Sequence, residues 1–279
     1  MPYGIVDDWS FEPDRERAML RNHRPTIVAL LVLSALPCPA RATWSIVVLD
    51  REHKWIGVAG ASCTPDVYGI MSLRPGEGVL IAQAIGDDAA IHRANELLVA
   101  GASSDSVLRV VTSPAVDTAS RYRQYAVASF DGGLAQFTGD SSANYHGQRR
   151  AGDILVQGNS LPGPAVLDAV MAAIEQARAA GRPLYEVLMA GLAAGAAAGG
   201  DVRCGMQRAT SAFLVVARPG ERPFLPYLTL AVFRAERGGV NAVDVLATRL
   251  ARWSASGGPA DVATSEGVQP AGRPAATKP

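Results

Sequence analysis

From residue 43 onward the chain switches repeatedly between short apolar, β-branched runs and longer stretches with apolar residues three and four apart. Residues 43–49 and 55–62 are two such runs, joined by Asp50-Arg51-Glu52-His53-Lys54, a pattern that predicts a β-hairpin. Residues 79–84 predict another strand. Residues 87–100 predict a helix, with Asp87 and Asp88 in the first turn, Ile91, Ala94, Leu97 and Leu98 as the apolar stripe, and Gly101 as the stop. A shorter helix is predicted over 103–111, followed by Pro114. Residues 124–130 and 134–138 flank Asp131-Gly132-Gly133, a tight-turn signal. A strand is predicted over 153–157, helices over 164–180 and 183–198, strands over 211–217 and 227–233, and an amphipathic helix over 240–253. Strands grouped together and helices grouped together predict stacked antiparallel sheets covered by helices, an α+β arrangement, rather than a parallel doubly wound sheet. No Gly-x-Gly-x-x-Gly or P-loop pattern occurs.

Upstream of residue 43 the pattern is different. Arg21, His23 and Arg24 precede an apolar run over 26–36, which is too short to span a bilayer, and Ala40-Arg41-Ala42 forms a small-x-small junction. These features predict a signal peptide over 1–42 that is cleaved after Ala42. The first 18 residues are atypically acidic, and Met19 offers a more compact start. Lipidation at Cys38 is disfavoured by Pro37 and by the lack of small residues before it. An uncleaved anchor is the alternative. Residues 43–253 then form one domain, and 254–279, rich in Ala, Gly, Pro and Ser without an apolar period, form a disordered tail. The expected location is periplasmic or secreted, with no stable membrane insertion once the leader is removed.

Composition adds exclusions. Subtracting 42 residues from 279 leaves 237, enough for a sizeable core, and 48% hydrophobic with 19% charged residues fits a globular chain. Net charge is zero, which argues against nucleic-acid binding. Of the three cysteines, Cys63 and Cys204 lie in the expected mature chain; a disulfide and two free thiols are both open. No cysteine or histidine cluster predicts a metal, and no cofactor is expected.

The candidate chemistry starts with Thr43. Cleavage after Ala42 would give it a free α-amine beside its own hydroxyl, a nucleophile and base on one residue, with an amine pKa of about 7.7–8.0. There is no Gly-x-Ser-x-Gly elbow. Among the histidines, only His146, read in a polar loop, looks free to act. Three small-polar segments read as loops that display functional groups: Phe137-Thr138-Gly139-Asp140 leading to Asn144-Tyr145-His146-Gly147; Gln157-Gly158-Asn159-Ser160-Leu161; and Gly199-Gly200-Asp201-Val202-Arg203. Asp201 and Arg203 are candidates to bind a substrate amine and carboxylate; the alternative is that Gly199-Gly200 caps a helix and Asp201 pairs with Arg203. Ser62 and Gln83 end strands and either face Thr43 or are ordinary strand-end polar groups.

Thr43-Trp44-Ser45-Ile46-Val47, Gly57-Val58-Ala59 with Ala61-Ser62, Phe137-Thr138-Gly139, Gln157-Gly158-Asn159, Gly199-Gly200-Asp201-Val202-Arg203 and Ser211-Ala212, in that order, resemble the domain-of-unknown-function 1028 family of bacteria. The resemblance covers roughly residues 43–253 and implies a four-layer αββα sandwich like that of N-terminal-nucleophile hydrolases, with Thr43 at the nucleophile position. This chain departs from the family pattern at Cys63, at Arg203-Cys204-Gly205 and at Val232-Phe233-Arg234-Ala235-Glu236. The reading that follows is an exported amidohydrolase acting on a small amide or peptide-like substrate. Thr43 and Asn159 are its catalytic residues, the latter as an oxyanion donor alongside backbone N–H groups. Ser62, Gln83, Gly139, Asp201 and Arg203 bind substrate, and homo-oligomerisation stays open. The competing readings are a non-catalytic periplasmic module that binds a small ligand or protein on the same fold, and a structural envelope protein.

Overall fold

The computed structural model describes residues 43–142 and 144–257. The expected leader and most of the expected tail lie outside the described residues. Among the described residues, ten strands form two antiparallel sheets. The larger has the order β10-β9-β2-β1-β8-β7, with β1 (Thr43–Asp50), β2 (Trp55–Ser62), β7 (Tyr145–Ala151), β8 (Ile154–Leu161), β9 (Ser211–Ala217) and β10 (Leu228–Val232). The smaller has the order β3-β4-β5-β6, with β3 (Met71–Arg74), β4 (Gly78–Gln83), β5 (Gln124–Ser129) and β6 (Gly133–Thr138).

Side chains alternate across each strand, and this builds three apolar layers. Trp44, Ile46 and Val48 of β1 pack on one side with α3 (Ala165–Ala179), α4 (Leu184–Ala197) and α5 (Ala242–Ala255). Val47 and Leu49 face the other way and meet Val79 and Ile81 of β4 between the sheets. Leu80 and Val127 close the outer face of the small sheet against α1 (Asp88–Val99) and α2 (Ser104–Val111). The order helices, sheet, sheet, helices is the four-layer αββα sandwich that the resemblance implied.

Local chemistry explains the elements. Asp87 caps α1 by accepting from the Ala90 N–H, Ser103 caps α2 through the Ser106 N–H, and Asn241 caps α5 through the Val243 N–H. The small residues of α4 have a packing cause: a Cβ on Gly195 would stand 2.6 Å from the Trp44 indole nitrogen. The helix therefore lies directly on the central strand that Thr43 opens.

Two expectations change here. Residues 157–161 are not a loop; β8 continues to Leu161, fully buried along its length. Residues 145–147, read as a polar loop, belong to β7, and His146 places Nδ1 3.0 Å from the Asn144 carbonyl oxygen. An edge strand carrying Arg149 and Arg150 shows no apolar period, and such charges are how an unpaired edge is protected. The short β3 had no sequence signal.

Candidate active site

The inner face of the sandwich is apolar at one end and polar at the other. Thr43 pairs with Ser62 on one side and with Asn159 on the other. Residues directly opposite in antiparallel strands share a face, so both side chains flank that of Thr43. Two residues along β1, Ser45 lies between Gly60 and Gln157, and Ser211 of β9 extends the row beyond Ser62. The polar row thus runs across four strands, and its members are buried.

The small sheet answers with amides. Ser45 Oγ donates to Gln83 Oε1 at 2.7 Å, and Gln83 Nε2 donates to Gln124 Oε1 at 2.9 Å. The same Gln124 oxygen accepts from Asn159 Nδ2 at 2.9 Å. Gln124 Nε2 in turn donates to the Gly158 carbonyl at 2.9 Å and to the Gly147 carbonyl at 3.2 Å. These bonds tie both sheets together beside Thr43.

Thr43 opens onto a cleft of about 340 Å³ between the sheets, with Thr64, Pro65, Asp66, Gln83 and Asp88 among its walls. Of the expected site residues, Thr43 and Gln83 line this cleft, and Ser62 and Asn159 adjoin Thr43. Asp201 sits behind them, fully buried. Its carboxylate accepts from the Cys63 N–H at 2.6 Å and from the Arg203 backbone N–H and guanidinium, the latter at 2.7 Å. Arg203 also approaches Ser62 Oγ at 3.5 Å. The pair thus braces the strand end that carries Ser62, and Gly199 and Gly200, with N–H groups bonded to Ala196 and Gly195 carbonyls, terminate α4. Gly139 is placed apart from the cleft: its N–H donates to the Arg123 carbonyl, and a Cβ there would lie 2.2 Å from the Arg121 carbonyl oxygen.

Cys63 and Cys204 form a disulfide, with Cα atoms 5.6 Å apart, next to the Asp201–Arg203 pair. Behind the cleft wall, Arg123 donates to Asp117 at 2.7 Å, to Asp87 at 2.9 Å and to the Ile85 and Gly86 carbonyls. Burial is the largest single influence on Arg123 and opposes its charge, but the hydrogen bond to Asp117 together with the charges of Asp117 and Asp87 outweighs it and raises the guanidinium pKa. Burial and the neighbouring Asp117 carboxylate likewise raise the Tyr125 phenol far above its ordinary value.

Residues 43–238 match the family described as "Family of unknown function (DUF1028)". The chain belongs to this family. The fold of this DUF1028 protein is shared with a crystal structure of a family protein from Silicibacter pomeroyi, with a TM-score of 0.63 and 24% identity over 76% of this chain and 89% of that one. Weaker likenesses are to Anbu (ancestral beta-subunit) from Yersinia bercovieri, with a TM-score of 0.39 and 11% identity over 76% and 95% of the two chains. Anbu from a Hyphomicrobium strain gives 0.35 and 12% over 76% and 97%. No curated protein matches the chain significantly.

Ser45 and Gln124 were not singled out as site residues from the sequence, and Gln157 was read only as part of a loop, whereas it lies in β8. Their signal was present: each is the polar residue on an inward-facing step of an otherwise apolar strand. Among the described residues, no group of three His, Cys, Asp or Glu is placed to hold a metal, and no helix is long and apolar enough to cross a membrane.

Proposed function

We propose that this DUF1028 protein is an exported amidohydrolase whose nucleophile is Thr43, made amino-terminal by removal of residues 1–42. The observation that carries the reading is the position of Thr43. It is the first residue of the central strand, lines the cleft between the sheets, and is flanked by Ser62 and Asn159. The family match also opens at this residue.

In the mature chain the neutral α-amine takes the proton from Oγ1 as Oγ1 bonds to the carbonyl carbon of an amide. Backbone N–H groups stabilise the oxyanion that forms. On collapse the carbon–nitrogen bond breaks, and the α-ammonium returns the proton to the leaving amine. A water, deprotonated by the same α-amine, then attacks the ester carbon and releases the acid and Thr43. Asp66 and Asp88 on the cleft wall suit a substrate with a free amino group, such as a small peptide-like amide. The Cys63–Cys204 disulfide supports a periplasmic or secreted location, because such bonds persist in oxidising compartments.

Intact mass and terminal sequencing of the exported protein should give Thr43 as the first residue. A β-lactone electrophile should acylate Oγ1 in wild type, to a reduced extent in Thr43→Ser, and not in Thr43→Ala. Because the amine must be neutral, acylation should rise between about pH 6 and 9, through an amine pKa of about 7.7–8.0. A different terminus, or equal labelling of the Ala variant, rejects the reading in favour of a ligand-binding module on the same cleft.

A further inference from the structure

Asn159 Oδ1 is buried and has no hydrogen-bond partner among the described residues, although the residue is otherwise tightly held. The reason lies in the direction of the bonds around Gln124. Gln124 Nε2 faces the Gly158 and Gly147 carbonyls, which only accept, so the amide cannot be turned round. Gln124 Oε1 must therefore accept, and it takes both Gln83 Nε2 and Asn159 Nδ2. Asn159 is left presenting an oxygen, on the strand position directly opposite Thr43. An unpaired buried carbonyl of this kind costs about 1–3 kcal/mol.

We propose that Asn159 is the hydrogen-bond acceptor for the liberated α-amine of Thr43, and that Gln124 is the positioning residue that locks Asn159 in this orientation. The inference rests on the reading of Thr43 as the mature terminus. A terminal amine adds what a peptide nitrogen lacks, at least two N–H donors on one freely turning atom. One N–H given to Asn159 Oδ1 fixes the rotation about the Cα–N bond and aims the nitrogen lone pair at Oγ1. Asn159 then serves the base, and its Nδ2, engaged by Gln124, is not the main oxyanion donor. The charged groups near Thr43 are Asp66 and Asp88 on the cleft wall and the Asp201–Arg203 pair behind Ser62. From β4, β5 and β8 the facing groups are the neutral amides Gln83, Gln124, Gln157 and Asn159. A change in charge at residue 159 therefore reads directly on the amine.

The test is the pH dependence of acetic anhydride modification of the Thr43 α-amine in the mature protein, resolved by peptide mapping. Asn159→Asp places a negative acceptor at the amine and should move the midpoint up by about one unit or more. Asn159→Leu removes the acceptor and should move it down. Gln124→Met releases the Asn159 amide to turn and should move it in the same direction as Leu. Thermal melts establish that each variant is folded. A midpoint unmoved in the folded variants, or moved down by Asp, overturns the inference. If wild type carries the Thr43 amine and takes the β-lactone while the midpoints stay put, only this inference fails. If wild type has no Thr43 terminus, the functional reading itself fails.

Discussion

At the scale of single residues, the same residue type serves different ends depending on what stands opposite it. Gly139 follows β6 in a segment that resembles a ligand loop, yet its missing Cβ makes room for the backbone of Ser120 and Arg121. Gly139→Ala should therefore destabilise the protein by about 1–3 kcal/mol through overpacking, measured by urea unfolding, while leaving Thr43 labelling of the folded fraction intact. Loss of labelling without loss of stability would return Gly139 to the site. Asp201 shows the same lesson. In sequence it is a charged residue after two glycines; in the fold its carboxylate is enclosed by Cys63, Arg203 and the strand end at Ser62. The pairing of Asp201 with Arg203, one of two readings open from the sequence, is what the structure shows. Thr43, Ser62 and Gln83 were legible because each sits at the end of a clearly apolar run. Gln124 was not, because nothing in β5 itself says which distant strand its amide meets.

At the scale of elements, the cleft wall between β4 and α1 depends on one cation. Arg123, at the entrance to β5, joins Asp117, the Asp87 cap of α1 and two carbonyls of the connecting loop. Arg123 and Asp117 are both buried, so removal of the guanidinium strands a carboxylate. Arg123→Met should cost about 3–5 kcal/mol in chemical denaturation and should slow β-lactone labelling by loosening the segment that carries Asp88. A loss below about 1 kcal/mol, the range of a solvent-screened surface pair, would contradict this account. Strands with strong periodicity were readable almost to the residue: β2 runs Trp55–Ser62 and β9 runs Ser211–Ala217, as the pattern predicts. The edge strands β3 and β7 were not, since a strand paired on one side and wetted on the other needs little apolar alternation.

For the whole molecule, the Cys63–Cys204 bond joins residues 141 positions apart and spans most of the sandwich. Closing so long a loop restrains the unfolded chain, and a cross-link of this kind typically contributes about 2–4 kcal/mol. Reduction, or the double variant Cys63→Ser with Cys204→Ser, should lower stability by about that amount in denaturant titrations. Because Cys63 follows Ser62 and bonds to Asp201, the same change should weaken β-lactone labelling of Thr43. Equal midpoints with and without reductant would show that the bond adds nothing to the fold.

The sequence alone determined the groups of strands and helices, the αββα architecture by way of its ordered motifs, and Thr43 as the residue that opens the first strand. The strands, the helices and the place of Thr43 are written in local periodicity and local caps, which depend on neighbours three or four positions away, whereas the four-layer architecture was implied by the resemblance to the family. Tertiary structure alone decided that Cys63 meets Cys204, that Gly139 stands apart from the cleft, and that Asn159, opposite Thr43 and bonded to Gln124 through its nitrogen, keeps a buried oxygen without a partner among the described residues. Each of these follows from strands far apart in the chain being brought face to face, where a bond direction set by one backbone carbonyl fixes the next amide along.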